Sequence, residues 1–408
     1  MSRLKYLMTI VQSCRFWLKD SQILNIFELT FINIFLEFTM KTFLKNSIGL
    51  FLFFTITIGA QTEVVCENFG GFNEGLAPVL INNSWGFMDV DGNIVIEPKF
   101  KVLVENWGDV PYFSNGSTVV MESATELVGY INTKGELFLP YNYITAFNFS
   151  EDKAIVRIGN DICIIDKEGN ILAKNIVALN GYHSKFSDGL LGAQKEFASG
   201  YKDKTGNFVI EPAYDEIRDF SEGMAAVQKD YKWGFIDKSG TLKVPFQFTN
   251  EPKSFSDGRA FVLGTDNKWG IIDTDGKILV EPKYNQVFSF SGGFAVVSEI
   301  DNKFQTTFSI IDVNGESVKT FAKGKNSNET ISLWSGFNEG LAVAMKGGQK
   351  GMIDTKGKVV VDFSFRELKP FSSDRAYAEV FDKKTKQVTK GFIDKKGKFF
   401  VVIKSPQF

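Results

Sequence analysis

An all-β fold made of tandem repeats follows from three features of the 408-residue sequence. A Phe recurs nine times, each followed five places on by a small or apolar residue. An Asp (once an Asn) with Gly three places later also recurs nine times, in strict alternation with the Phe. The runs between these anchors are strand-length, rich in Val, Ile and Phe and punctuated by turn residues. After residue 61 no stretch sustains a 3.6-residue apolar period.

Read in order, the chain opens on an address label. Met40 precedes Lys41 and Lys45, a positive segment, then an apolar run from Ile48 to Ile58 that is too short to span a bilayer, then Gly59-Ala60. Residues 40–60 read as a secretory signal peptide with cleavage before Gln61. Residues 1–39 then read as a spurious N-terminal extension with Met40 as the true start. The competing reading, a membrane anchor over Ile23 to Phe53, is interrupted by Asn25, Glu28, Asn33, Glu37, Lys41 and Lys45. Beyond residue 61 no apolar run approaches membrane-spanning length. The expected location is the periplasm, the cell surface or the extracellular space.

Residues 61–408 form the repeat domain. Its Phe anchors are Phe72, Phe113, Phe149, Phe186, Phe220, Phe255, Phe290, Phe337 and Phe371. Its turn pairs are Asp89/Gly92, Asn132/Gly135, Asp166/Gly169, Asp203/Gly206, Asp237/Gly240, Asp273/Gly276, Asp312/Gly315, Asp354/Gly357 and Asp394/Gly397. The turn has a physical basis. An Asp at the first position can accept a backbone N–H two residues on, and Gly three later suits a left-handed position closing a type I turn with a bulge. Within Trp233-Gly-Phe-Ile-Asp237, alternation puts Trp and Phe on one face and Gly and Ile on the other, so the strand is expected to be buried on both sides. Gly beside Trp leaves room for a second backbone, and the Pro of Glu97-Pro98, Glu211-Pro212 and Glu281-Pro282 is expected to end the third strand.

Each unit is therefore expected to be a three-stranded antiparallel meander of about 34–43 residues that buries its apolar face only by stacking. The copies Trp85-Gly-Phe-Met-Asp, Trp233-Gly-Phe-Ile-Asp and Trp269-Gly-Ile-Ile-Asp resemble the bacterial WG-repeat family of β-rich units, over about residues 70–403. Copies near residues 129, 163, 200, 309, 351 and 391 lack the Trp. The resemblance implies a repeat fold and no particular activity. Nine units exceed the usual four to eight propeller blades and their lengths vary, so an open superhelical, solenoid-like array is expected, with a closed β-propeller as the alternative.

Function classes narrow by composition. Residues 61–408 carry a net charge of −5, which argues against a nucleic-acid footprint. Cys14, Cys66 and Cys163 share no short spacing, and Cys163, between Ile162 and Ile164, reads as a buried small hydrophobe. Asp89-Val-Asp91-Gly92 and Asp273-Thr-Asp275-Gly276 hint at calcium loops but lack the third acid and the correctly spaced Glu. His183 is the only histidine, and no nucleophile elbow, P-loop or dinucleotide fingerprint occurs. No cofactor and no enzymatic activity are expected. Function is sought where the pattern breaks, in inserts at 101–112, 174–185, 298–307 and 319–336, with Trp107, Tyr112, Tyr182, His183 and Trp334 as candidate binding residues. Exposed aromatics there suit a polysaccharide or a protein of the cell envelope. The leading expectation is an exported, non-catalytic binding or scaffold protein. The alternative is an extracellular carbohydrate-active enzyme with paired carboxylates on insert loops.

Overall fold

The structure, a computed structural model, describes residues 61–102, 110–176, 185–324, 326, 328 and onward to 406. The proposed signal peptide and the N-terminal extension lie outside the described residues. Among the described residues there is no helix, and none therefore long and apolar enough to cross a membrane.

The described residues form nine sheets, here called blades 1 to 9 in chain order, antiparallel except where Thr62–Val65 joins blade 9. Blade 5 shows the plan: a two-residue first strand Glu216–Ile217, then Met224–Lys229, Lys232–Asp237 and Leu242–Phe248, hydrogen-bonded in that order. The expected meander is the second, third and fourth of these strands. The third strand is buried from Trp233 to Ile236 on both faces, as its alternation of two apolar sets requires.

The Asp-x-x-Gly turns form as the sequence suggests. Asp89 Oδ1 accepts the backbone N–H of Asp91 and of Asn93, both at 2.9 Å, and Gly92 sits at φ 85°. The fourth strand departs from expectation. It runs through its Pro, as in Phe208–Tyr214, because Pro212 falls where the register with Ser199–Tyr201 slips and no ladder N–H is needed. The Gly of the Trp-Gly pair faces this slip. A Cβ on Gly234 would stand 2.6 Å from the Val244 carbonyl oxygen, and one on Gly270 2.7 Å from that of Val280.

The Phe-Ser-Glu-Gly text makes a second turn. Ser221 and Met224 exchange both backbone hydrogen bonds, and Glu222 and Gly223 between them have φ 54° and 76°, a two-residue type I′ hairpin. The residue at the Glu222 position is left-handed in all nine blades: Glu74, Asn115, Glu151, Asp188, Glu222, Asp257, Gly292, Glu339 and Ser373.

The nine blades close into a β-propeller, which corrects the expectation of an open array. Nine sheets in an open row have eight junctions. Here nine hydrophobic clusters occur, one per junction, and the ninth joins Phe72, Val79 and Met88 of blade 1 to Phe392, Val401 and Ile403 of blade 9. The same contacts recur across it. The anchor Phe of one blade meets the third-strand aromatic of the blade before, as Phe113 meets Phe87 at 4.7 Å and Phe255 meets Phe235 at 4.8 Å. Phe72 meets Phe392 at 4.7 Å. Ser221 Oγ donates to the Phe255 carbonyl at 2.8 Å, and Ser372 Oγ to that of Phe72 at 2.7 Å. Strand Thr62–Val65 completes the seal by pairing in parallel with Phe399–Lys404. Closure buries the apolar faces that an open array would leave bare at both ends. The uneven repeat lengths do not oppose it, because the second and third strands stay within five to seven residues in every blade.

Candidate binding surface

Antiparallel topology fixes where the connections lie. The type I′ turn and the Asp-x-x-Gly turn of each blade lie at one end of its strands, since Met224 pairs with Asp237. The turn between second and third strands, and the crossing from one blade's fourth strand to the next blade, lie at the opposite end. The inserts at 101–112, 174–185 and 319–336 are crossings, and 298–307 extends a second-to-third-strand turn, so the described strands on either side of all four meet them at that same end.

Trp107, Tyr182 and His183 lie outside the described residues. Tyr112 belongs to blade 2 and Trp334 to blade 8, so the structure does not gather these two into one site.

Tyr112 stands beside a gap in blade 2. Where a first strand is described, it ends in an N–H donated to the second strand, as from Arg218 to the Ala226 carbonyl and from Trp334 to that of Val343. In blade 2 the corresponding residue is Pro111, which has no N–H, and among the described residues this blade, like blades 4 and 6, has no first strand. The edge is met at one point by the Lys101 carbonyl, which accepts from Met121 N at 2.8 Å, and otherwise from blade 3, where Asn148 Oδ1 accepts from Val119 N at 3.2 Å and Asn148 Nδ2 donates to the Tyr112 carbonyl at 3.1 Å. What results is a hollow of about 280 Å³ bordered by Pro111, Tyr112, Val119 and Phe147. A second hollow of about 320 Å³ lies across the Val110–Tyr112 segment, against Gly70 and Pro78 of blade 1.

Trp334 occupies a repeat position rather than a free loop. In blade 5 the Arg218 guanidinium lies 4.7 Å from the Trp233 ring, and in blade 6 Lys253 lies 5.4 Å from Trp269. In blade 8 the two groups change places, with Trp334 on the first strand's side and Lys350 at the Trp-Gly position, 5.6 Å apart. Lys350 also reaches Glu367 at 2.8 Å. Burial works to raise the Glu367 carboxyl, and the ammonium beside it outweighs this and holds it below its ordinary range. Trp334 nevertheless keeps 54 % of its surface exposed.

The repeat aspartates are committed to their turns, each with an oxygen taken by two backbone N–H groups, as in Asp166 and Asp354. Among the described residues no three His, Cys, Asp or Glu side chains are placed to hold a metal. Cys66 and Cys163 are both buried and unbridged, and burial pushes the Cys66 thiol up to about 11. Cys163 fills the place of the Trp-Gly glycine in blade 3, whose fourth strand, Ile171–Ala173, is short and lacks the Pro. The residues missed in the sequence are the turn-tip aromatics Phe197, Tyr231 and Phe304, which lie at the same end as the inserts and are almost fully exposed. Their signal was a large aromatic where a tight turn favours Asn or Gly.

The family model "WG containing repeat" matches residues 63–85, 85–106, 129–160, 200–233, 233–269, 269–304 and 351–384. The comparison with curated proteins finds no match. Among solved structures, "Crystal structure of the eukaryotic initiation factor" is similar at TM-score 0.51 and 12 % identity, covering 77 % of this chain and 92 % of that one. This likeness bears on the fold alone. Dihydro-heme d1 dehydrogenase NirN (TM-score 0.36, 11 % identity, 82 % of this chain and 75 % of that one) and PorZ of Porphyromonas gingivalis (TM-score 0.27, 10 % identity, 82 % and 59 %) also match, too distantly to carry an argument.

Proposed function

The chain belongs to the WG containing repeat family, and from that premise we propose that it is a non-catalytic binding or scaffold protein, exported to the cell envelope, that holds a protein or polysaccharide on one end of its ring. The observation that carries this is that the strands bounding all four inserts meet them at a single end, while the opposite end keeps nine near-identical pairs of turns. A rigid ring with variable loops on one end is the arrangement of a scaffold that presents a binding surface. The carboxylates best placed to attract a chemical reading, the turn aspartates, are engaged by backbone N–H groups.

The test is crosslinking in the native host with a C-terminally tagged full-length chain, beside the Tyr112→Ala and Trp334→Ala variants. Enrichment of one envelope protein or glycan, reduced in either variant, supports the proposal. Substrate turnover that a single point substitution abolishes would overturn it.

A further inference from the structure

We infer that the insert-bearing end of the ring is also a docking surface for an anionic lipid bilayer, reached by aromatic turn tips. Three aromatic side chains stand apart from every other large hydrophobic residue described: Phe197 is 95 % exposed, Phe304 91 % and Tyr231 87 %, and the next, Trp334, only 54 %. All three sit at the turn between second and third strands, in blades 4, 7 and 5. That turn is at the same end in every blade, so the three tips point out of one end of the ring.

Folding does not account for their exposure, nor for the backbone of two of them; in blade 4 the left-handed residue is Glu196 at φ 56° rather than Phe197. In the two-residue turns of blades 1 and 8 the second tip residue is Asn83 (φ 56°) or Gly348 (φ 75°), residue types that take a left-handed backbone at little cost. Blade 5 puts Tyr231 there at φ 61°, and the blade 7 turn holds Phe304 at φ 57°. A bulky aromatic in that region is strained, and an exposed one recovers nothing by burial. A contact outside the ring would supply that missing burial.

The chemistry of the tips favours a bilayer. Two of the three are Phe, with no polar atom to bond a sugar or a peptide, and they project singly from separate blades rather than lining a groove. Isolated apolar points at one end of a ring suit a broad, deformable surface into which each can sink. Lys195, Lys229, Lys232 and Lys303 flank them against Glu196, Asp230 and Asp301, and Asp301 is engaged within its own turn by the N–H groups of Lys303 and Gln305. The corresponding turn of blade 9 adds Lys383, Lys384 and Lys386 against Asp382. Lysines around apolar tips match negatively charged headgroups. This inference goes beyond the binding role proposed above; of its three tips only Phe304 falls within an insert, 298–307, and none is Tyr112 or Trp334.

The experiment uses the full-length chain and vesicles of phosphatidylethanolamine and phosphatidylglycerol, with phosphatidylcholine vesicles as the neutral control. In the Phe197→Trp variant the new indole should shift its emission to the blue on mixing with the anionic vesicles. The shift should weaken with salt and be quenched by brominated lipid. The triple variant Phe197→Ser, Tyr231→Ser, Phe304→Ser, with an unchanged circular dichroism spectrum, should bind the same vesicles at least about tenfold more weakly. Unmoved Phe197→Trp emission, or a triple variant that binds like the parent, overturns the inference. A blue shift with alginate and none with vesicles overturns it too, in favour of an acidic glycan. Partner capture that persists in the triple variant while vesicle binding is lost separates this surface from the one tested by Tyr112→Ala and Trp334→Ala.

Discussion

At the residue scale, the Trp-Gly pair is a packing solution in which each half has its own cause. The indoles of Trp233 and Trp269 cover the strand while a basic side chain lies over each. The glycine admits the carbonyl of the slipped fourth strand, and a methyl group on Gly234 would press against that carbonyl at 2.6 Å. Gly234→Ala is therefore expected to cost about 1–3 kcal/mol in urea unfolding. Gly71→Ala, with nothing within 4 Å of the new Cβ and no left-handed φ, should be nearly neutral. The turn aspartates make a second case. Asp166 is held below its ordinary value of 3.8 first by the Asn170 side chain and then by the backbone N–H groups of Asn170 and Glu168. A carboxyl whose value is depressed by folding stabilises the fold above its unfolded value. That stabilisation is lost as pH falls below about 4 through the lower folded value. Asp166→Asn keeps an acceptor, as Asn132 does naturally in blade 2, where its Oδ1 takes the N–H groups of Lys134 and Glu136. Melting temperatures at pH 7 and pH 3 should therefore differ less in Asp166→Asn than in the parent, and Asp166→Ala should melt lower even at pH 7.

At the element scale, the type I′ turns link the blades into a chain of side-chain bonds. Gly223 N donates to Asp188 Oδ2 at 2.7 Å, Gly258 N to Glu222 Oε2 at 2.8 Å and Gly75 N to Ser373 Oγ at 3.1 Å across the closure. The link is missing from blade 7 to blade 8, where the side chain's place is taken by Gly292 at φ 62° with open space around it. Gly292→Asn should restore the bond at a position Asn tolerates. An increase of about 0.5–1.5 kcal/mol in unfolding free energy is expected, and no increase would show that this junction cannot accept the link. The strands were legible because Trp-Gly-x-x-Asp and Asp-x-x-Gly state both an alternation and a stop. The two-residue first strand was not, since Glu216–Ile217 is too short to carry a period. Nor was the type I′ turn: a Glu in left-handed conformation is no turn signal by itself, and its reason lies in the next blade. Binding residues were sought in the inserts, which left out Phe197 and Tyr231 in turns that otherwise fit the pattern, while Phe304 lay within the 298–307 insert but was not singled out.

At the scale of the whole molecule, the ring closes on a pairing that no repeat text announces. Thr62 meets Val401 and Val65 meets Lys404 across nearly the full length of the chain, and neither segment carries the Trp-Gly or Asp-x-x-Gly signature. Sequence can count nine units, but whether a ninth junction forms depends on a small rotation per unit summed around the ring, a quantity no single residue encodes. Closure has a consequence that an open array lacks. The two ends of the repeat domain lie side by side, offset by the length of a four-residue strand or roughly 13 Å, so a flexible linker of about ten residues can join Pro406 to Gln61. Opening the chain instead between Gly347 and Gly348, at a hairpin tip, moves the termini without removing a strand. The permuted protein should give the parent's circular dichroism spectrum and one cooperative unfolding transition within a few degrees of it, since all nine clusters are kept. Its blade 9 to blade 1 junction, now covalently continuous, should resist protease better than the parent's. Were the array open, the same linker would have to span all nine units, and the permuted chain would lose its cooperative transition.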